Sequence, residues 1–520
     1  MPRKVLWSGL MSVALVSPLC VAVPSSRGTI CVRPSGACGP SLLYSSPRRA
    51  LSSTLLPSHI ERTFIQRRRH EPLLCAAAGD AEKAKDGVGE RGRRSRPYLV
   101  LAALVLLYVN NQWARMLPSY LVSFDEAGRA GRSGRELMNV ALGISPAQYG
   151  LLVSYGFTLL YVACSFPAGV ACDVLPRKIV LLTAATGWSL ATAASAAARN
   201  YAQLLSARVM LGITQAFSGP AAHTLISATF PPHRRATANA IYSSGIYLGG
   251  ALASLSVVLS RTLGWRATGF LVAASVIPPA LLLMVALRES RQSASPRDVA
   301  ALPTAQAESP WASIKSVLRV KSVRWLLLGT GTRLFAGFAI GAWSAPYYRS
   351  AFPSNAAQYS FINALIVAGA GSLSTVAGGV MADAATNSRS AEAKPHRAAL
   401  LPIIGSLAAI PFWVAAVRST SFNLAMAGLL AAYLFAECWY GATIAMLQGA
   451  LPSTIWGAAQ GSLNVVQIFG NLSPLLIGSF VSRGVPLQLL MSWTVPVAYV
   501  ATAFCFWQAM RARYSESQMK

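Results

Sequence analysis

Of the 17 acidic residues in the chain, one falls in the middle of a long apolar run: Glu437, in "YLFAECWYGATIAMLQG". Three arginines lie equally deep in such runs, Arg115, Arg208 and Arg333, and His223 lies nearer the end of its own. Ionisable groups surrounded by hydrocarbon are costly and mark functional positions. A guanidinium there has a specific chemistry, because its planar donors take a phosphate or carboxylate through two charge-assisted hydrogen bonds. Arg115 and Asn111 are four apart in "YVNNQWARMLPSY", so they share a helix face with Tyr108 a further turn back. The competing reading of Arg115 is a side chain that reaches along its stem to the membrane interface. Glu437 is either a proton-titrating carboxylate or the fixed counter-ion of an arginine. Arg208 reads as a structural or gating group, and His223 as an interfacial packing residue or a ligand. Gln460, Asn464, Gln467 and Asn471 follow one another in steps of four, three and four, which puts four amides on one face. Trp343, Tyr347, Trp439 and Tyr440 read first as packing or interface residues.

These groups need elements to hold them. The chain has 520 residues, 54% of them hydrophobic and only 12% charged, about half the charged share of soluble domains. The apolar residues come in runs such as "LLVSYGFTLLYVACSFPAGVA" and "TGFLVAASVIPPALLLMVAL". A bilayer core about 30 Å thick takes about 20 apolar residues as helix, and helices of this length satisfy their own backbone in lipid. The expectation is an all-α membrane protein with spans near 98–121, 147–168, 178–197, 201–223, 238–259, 267–287, 325–347, 359–381, 398–417, 423–447, 459–481 and 487–508. The longest polar interruption, 288–310, falls after the sixth. That gives a leader over 1–96, a first bundle over 97–290, a central loop over 291–322, a second bundle over 323–510 and a tail over 511–520.

The net charge of +28 would suit nucleic acid, but the basic residues sit between the apolar runs and in the leader, so no nucleic-acid partner is expected. Arg91, Arg93, Arg94, Arg177, Lys178, Arg234, Arg235, Lys315, Arg319, Lys394, Arg397, Arg511 and Arg513 fall on alternate loops. Both termini therefore face the cytosolic or stromal side, called the inner face below. The 8 cysteines are scattered without metal or disulfide spacing. "GIYLGG" (245–250) is a small-residue helix contact rather than a phosphate loop, since no Lys-Ser/Thr follows it. With no nucleophile–base or metal constellation, neither an enzyme nor a cofactor is expected. The partners are the bilayer and a small solute, and the chain is expected to be a monomer.

Residues 1–96 combine a basic start, an apolar middle and a small-residue site at Cys20-Val21-Ala22 with a Ser/Arg-rich, acid-poor continuation. Together they resemble the two-part presequences of plastids with extra bounding membranes. The alternative is a basic N-terminus on an endomembrane protein.

The halves echo each other. Gly169 and Asp173, in "GVACDVLPRK", recur as Gly379 and Asp383, both 210 positions on. Two six-span repeats are the layout of secondary transporters. Gly169 is expected to let two helices approach, and Asp173 to collect Arg177, Lys178 or a helix N-terminus in a latch that opens when the halves rock.

"GVACDVLPRK" resembles the major facilitator superfamily element Gly-x-x-x-Asp-x-x-Gly-Arg-Lys, with Pro176 in place of the second Gly, and "RVMLGITQA" resembles its span-four Arg-x-x-x-Gly element. The resemblance covers about 97–510. It implies twelve helices in two pseudo-symmetric six-helix bundles, alternating access and a site between spans one and seven. Arg115 and Arg333 would there clamp an anion, as paired arginines do in the organophosphate-exchanger branch. "ISPAQYGLLVSYGFTLLYVACSFPAG" and "FPPHRRATANAIYSSGIYLGGALAS" are similar to spinster-type members, which implies a lysophospholipid or related phosphate ester. A sugar phosphate or other organic anion, or a non-transporting sensor on the same scaffold, are the alternatives. Asn110 and Asn111 stand where many members carry Asp-Arg, and Gln215 where they carry Glu, which implies exchange or facilitated diffusion. The substrate set is then Asn110, Asn111, Arg115, Gln215, Arg333, Glu437, Gln460, Asn464 and Gln467. The gating set is Gly169, Asp173, Arg177, Lys178, Arg208, Gly379 and Asp383.

Overall fold

The computed structural model describes residues 97–124, 136–287, 310–386, 395–452 and 455–518; of Asp173, Asp383 and Gln460 it describes the backbone alone. The leader lies outside the described residues. Twelve helical crossings run through the described chain. Span one is Pro97–Tyr120 and span three Arg177–Ala197. Span two is broken at Ser154 (Pro146–Val153, Tyr155–Val174), span four at Ala216 and Phe217 (Tyr201–Gln215, Ser218–Thr229), and span five at Ser244 (Pro232–Ser243, Gly245–Leu263). Span six (Trp265–Ala274, Ile277–Ala286) closes the first half. Eleven helices among the described residues are long and apolar enough to cross a membrane. The crossing outside that set is span four, in two pieces of 15 and 12 residues.

A short basic helix, Pro310–Arg319, precedes the second half. Span seven is Lys321–Ala351, and span eight runs from Ala356–Leu365 through a π-helical turn, Ile366–Gly371, into Ser372–Thr386. Span nine is Leu400–Arg418, span ten Phe422–Ala436 and Trp439–Ala450, span eleven Trp456–Gly470 and Leu472–Ser482, and span twelve Leu487–Gln518.

The packing repeats between halves. Span three packs on four and six, as nine does on ten and twelve; span two packs on four, as eight does on ten; span one packs on five and six, as seven does on eleven and twelve. Across the divide, span two meets eleven and span five meets eight. Shifting the first pair by six spans turns it into the second, the mark of an approximate twofold relation.

Hydrocarbon gives helices no hydrophobic reason to associate, so close packing and internal hydrogen bonds hold them. "GIYLGG" makes the contact expected of it: a Cβ on Gly249 would lie 2.5 Å from the Gln112 Cβ and 2.7 Å from the Val109 carbonyl oxygen. Beside it, the Trp113 indole N–H donates to the Ser256 Oγ at 2.8 Å. Large apolar side chains such as Leu281, Met284 and Val285 stay exposed on the outside, where lipid would cover them.

Candidate functional site

The two halves are joined on the outer side. A Cβ on Gly150 would lie 2.5 Å from the Pro474 carbonyl oxygen, and one on Gly478 would collide with the Pro146 carbonyl oxygen. The Tyr149 hydroxyl donates to the Ala342 carbonyl at 2.6 Å. Its ring meets Trp343 edge-on at 5.0 Å, with Phe124 against both. Ser254 and Ser360 exchange hydrogen bonds with each other's carbonyls. The fully buried Arg349 donates to the Tyr120 carbonyl at 2.6 Å and to Glu136 at 3.2 Å.

Among the described residues, the innermost cross-half hydrogen bond joins Tyr247 to Thr375. Spans two and eleven are tight at Gly150 and Pro474, whereas nearer their inner ends a Cβ on Gly169 or Gly461 would meet nothing within 4 Å. The described contacts between the halves gather on the outer side, which is closed.

Near the middle of its length, span ten breaks at Glu437 and Cys438. A break in lipid frees backbone carbonyls that need donors. Arg333, on span seven and 2% exposed, fills that need: its Nη2 donates to the Ala436 carbonyl at 2.8 Å and to Glu437 Oε1 at 2.9 Å. Trp439 and Tyr499 flank the guanidinium at 5.4 and 5.3 Å. Glu437 is 24% exposed, so the pair is accessible through the carboxylate. Of its two sequence readings, the counter-ion describes this geometry.

The first half holds a neutral counterpart. Arg333 stands 222 positions after Asn111, and Glu437 stands 222 after Gln215. Where Arg333 meets Glu437, the Gln215 Nε2 donates to the Asn111 carbonyl at 3.0 Å, again beside a break in its span. This second offset is the signal that sequence reading missed.

Asn110, Asn111 and Gln215, expected to meet substrate, are packed inside the first half in this arrangement. They are 4%, 2% and 1% exposed. Asn110 donates to the Val272 carbonyl and the Ser275 Oγ, both at 2.9 Å, and accepts from the Trp188 indole at 2.8 Å, tying span one to spans three and six. Asn111 contacts Ser218 at 3.4 Å. Polar side chains in lipid find partners wherever packing offers them, and here packing offers them inside the half.

Arg115 is different. It is partly exposed, and its guanidinium lies over the Phe157 ring at 4.4 Å and near Tyr161 at 5.5 Å. Among the described residues no carboxylate pairs with it. Behind it, Arg208 is 2% exposed and donates to the Ala114 and Arg115 carbonyls at 3.3 and 2.9 Å. Tyr108 stacks on Tyr242 at 4.5 Å and lies within electrostatic reach of Arg115 and, from the second half, Tyr440. His223 contacts Asn239 at 3.0 Å and meets Tyr242 edge-on. On span eleven, the partly exposed Gln467 donates to Asn464 at 3.2 Å. Asn471 instead caps its own helix through the Gln467 carbonyl.

The inner latch is only partly described, because the Asp173 and Asp383 side chains lie outside the described residues. Two of its members depart from expectation. Gly169 makes no close approach here; the tight neighbour in the second half is Gly378, against the Cys438 backbone, one residue before Gly379. Lys178 donates to the Met284 and Leu287 carbonyls at 3.0 and 2.6 Å, capping the end of span six. Arg177 is partly buried.

The family description Major Facilitator Superfamily matches residues 133–478. The chain belongs to that superfamily. It is thus a transporter of the major facilitator fold. An "MFS-type efflux pump" of Mycolicibacterium smegmatis is 24% identical over 430 residues, 81% of this chain and 94% of that protein. The rice "Probable anion transporter 2, chloroplastic" is 34% identical over 130 residues, but that match spans only 24% of each chain. The crystal structure of a bacterial homologue of the human lysosomal transporter Spinster, inward-facing and unoccupied, superposes with a TM-score of 0.61. It is 21% identical and covers 82% of this chain and 98% of its own, a likeness of fold.

The Arg333–Glu437 pair carries a prediction. Removing one partner of a buried ion pair leaves the other charge uncompensated, at a cost of about 3–5 kcal/mol. Glu437→Ala is expected near the lower end, because the carboxylate is partly solvated, and should show as a lowered unfolding temperature in detergent. Arg333→Met combined with Glu437→Leu should recover most of that loss. A double variant no more stable than Glu437→Ala would mean the pair is not the stabilising unit.

Proposed function

We propose that the protein carries an organic anion, a carboxylate or phosphate ester with an apolar portion, by alternating access between its two halves. One observation carries this reading: the Arg115 guanidinium is partly exposed, and among the described residues no carboxylate pairs with it. The single mid-membrane acid, Glu437, is already engaged by Arg333, so the local balance favours an anionic guest. The aromatic surround of Arg115, formed by Phe157, Tyr161 and Tyr108, suits a solute with an apolar body, which includes lysophospholipids. Arg333 becomes a second anion ligand if the guest displaces Glu437.

Exchange or facilitated diffusion fits a first half whose counterpart to the ionic pair is the neutral Asn111–Gln215 contact. The plastid envelope fits the composition of the leader and the local similarity to the rice protein. The test is counterflow by purified protein in liposomes against carboxylates, sugar phosphates, lysophosphatidic acid and a neutral sugar. Anion-selective counterflow supports the reading; transport of the neutral sugar alone, or no transport of any anion, overturns it.

A further inference from the structure

The inner end of the second half carries a pocket that the transport site does not use. Its volume is about 670 Å³, and Lys321, His396, Gln508, Arg511, Tyr514 and Ser515 line it. It therefore sits where spans seven, nine and twelve begin or end at the inner face. Pockets of about 300–1,000 Å³ accommodate small polar molecules.

The helix that forms one wall fixes the depth of the pocket. Span twelve has 32 residues, about 48 Å at 1.5 Å per residue, against a hydrocarbon core of about 30 Å. Starting from Leu487 at the outer side, some twenty residues reach Trp507, and the turns from Arg511 onward fall at head-group level. Along its outward side runs an exposed apolar stripe, Trp493, Val497, Val500, Phe504 and Trp507, in steps of four, three, four and three. The same stepping continues to Arg511 and Tyr514. The Arg511 guanidinium lies over the Trp507 ring at 5.0 Å, and the His396 ring meets Tyr514 edge-on at 5.3 Å. A greasy track thus ends in a basic, hydroxyl-bearing pocket at the membrane surface.

The nearby carboxylate does not cancel that charge. Glu516 accepts from the Ser322 backbone N–H at 3.0 Å and from its Oγ at 2.7 Å, and pairs with Arg513 at 3.7 Å. Its charge is held at the first turn of span seven. Lys321 and Arg511 both remain exposed. The helix Pro310–Arg319 adds exposed Lys315 and Arg319 to this face while burying Val317 in the inner cluster that includes Val323 and Leu326.

We propose that this pocket binds the phosphate head group of an anionic phospholipid from the inner leaflet, with an acyl chain lying along the Trp493–Trp507 stripe. Lys321 and Arg511 supply the charge and Tyr514 a neutral donor, while the Ser515 hydroxyl donates to the Arg511 and Ala512 carbonyls of its own helix. Basic pockets between transmembrane helices take anionic head groups for this reason, since the leaflet supplies the ligand at high local concentration and the chain contact adds to the ionic one. A lipid held there bridges the inner ends of three spans of one half.

The experiment uses the full chain purified in detergent and offered phosphatidylglycerol or phosphatidylcholine of equal chain length, with retained lipid counted by native mass spectrometry. Phosphatidylglycerol is expected to be retained roughly thirtyfold more strongly than phosphatidylcholine, the equivalent of two basic groups at a membrane surface. Lys321→Gln with Arg511→Gln should lower retention to the phosphatidylcholine level. Ser515→Glu, which adds a negative charge without removing a packed side chain, should do the same. Arg418→Gln, at the exposed outer end of span nine, should leave retention unchanged. Equal retention of the two lipids, unchanged binding in both pocket variants, or full displacement by millimolar inorganic phosphate would each overturn the proposal; the last would assign the site to a free anion.

Discussion

Arg115→Ala is expected to reduce anion counterflow about 100-fold, while Arg115→Lys retains a measurable fraction of it. The loss corresponds to about 2.7 kcal/mol, in the range of a charge-assisted pair in a partly desolvated place. Lysine keeps the charge but not the planar fork, so it holds an anion through one contact rather than two. The substitution should be silent for the fold. The Arg115 side chain stacks on Phe157 and Tyr161, and an exposed stacking contact of this kind contributes only about 0.5–1 kcal/mol. Measuring the unfolding temperature beside the flux separates the two roles. Arg208→Ala is the contrast, because it strips donors from two span-one carbonyls and should lower stability together with flux. Full counterflow by a stable Arg115→Ala protein would remove the anion site from span one.

The two halves then divide the work unequally. The same internal offset that relates Arg333 to Asn111 relates Glu437 to Gln215, so an ionic contact in one half stands opposite a neutral one in the other. In the first half the free cation has moved four residues along span one, to Arg115. Span one runs from the inner to the outer side, so Arg115 lies about one turn further from the inner face than Arg333. Engagement of Arg333 requires an anion to compete with Glu437, which makes the second half the natural place for binding to bias the rocking equilibrium. A ligand shifts such an equilibrium only by its difference in affinity for the two states, and a counter-ion that must be displaced is one source of that difference.

Much of this architecture was legible in the chain. Runs of about twenty apolar residues, alternating basic loops and a repeated Gly/Asp spacing led to two bundles of six spans. "GIYLGG" led to a helix contact that Gly249 makes. The packing partners of the amides were not legible. A polar residue in an apolar run, such as Asn110, Asn111 or Gln215, has no visible partner in sequence. Their partners, Ser275, the Val272 carbonyl and Trp188 for Asn110 alone, come from spans more than seventy residues away. The outer latch was overlooked for a different reason. Hydropathy ends span seven near 347, whereas the helix runs to Ala351, and the last turn carries Arg349 into a buried pairing with Glu136. The capping contacts of Lys178 were not legible, because a basic residue at a helix start looks the same whether it serves a latch or caps a neighbouring helix.

Gly478→Leu should abolish transport without abolishing folding, because it denies the protein one of its two states. In the outward-closed arrangement there is no room for a Cβ at Gly478 beside the Pro146 carbonyl, nor at Gly150 beside Pro474. Backbone atoms on both sides leave nothing soft to move aside, so an isobutyl group must hold spans two and eleven apart at their outer ends. The halves can still relieve the strain by rocking the other way, which opens the outer side. The hydrogen bonds of Arg349 with Glu136 and the Tyr120 carbonyl, of Tyr149 with the Ala342 carbonyl and between Ser254 and Ser360 would be broken by the same motion. Cysteine labelling reads this directly. With Ala342→Cys, at a position 6% exposed behind the Tyr149–Trp343 contact, a membrane-impermeant thiol reagent added outside should react slowly in the parent and at least about tenfold faster with Gly478→Leu present. A tenfold change requires a shift of only about 1.4 kcal/mol between the two states, which is within the cost of overpacking a tight contact, about 1–3 kcal/mol. Gly478→Ala should fall between the two. Unchanged labelling with normal counterflow would mean that the outer ends of spans two and eleven never close as tightly during transport as they do here.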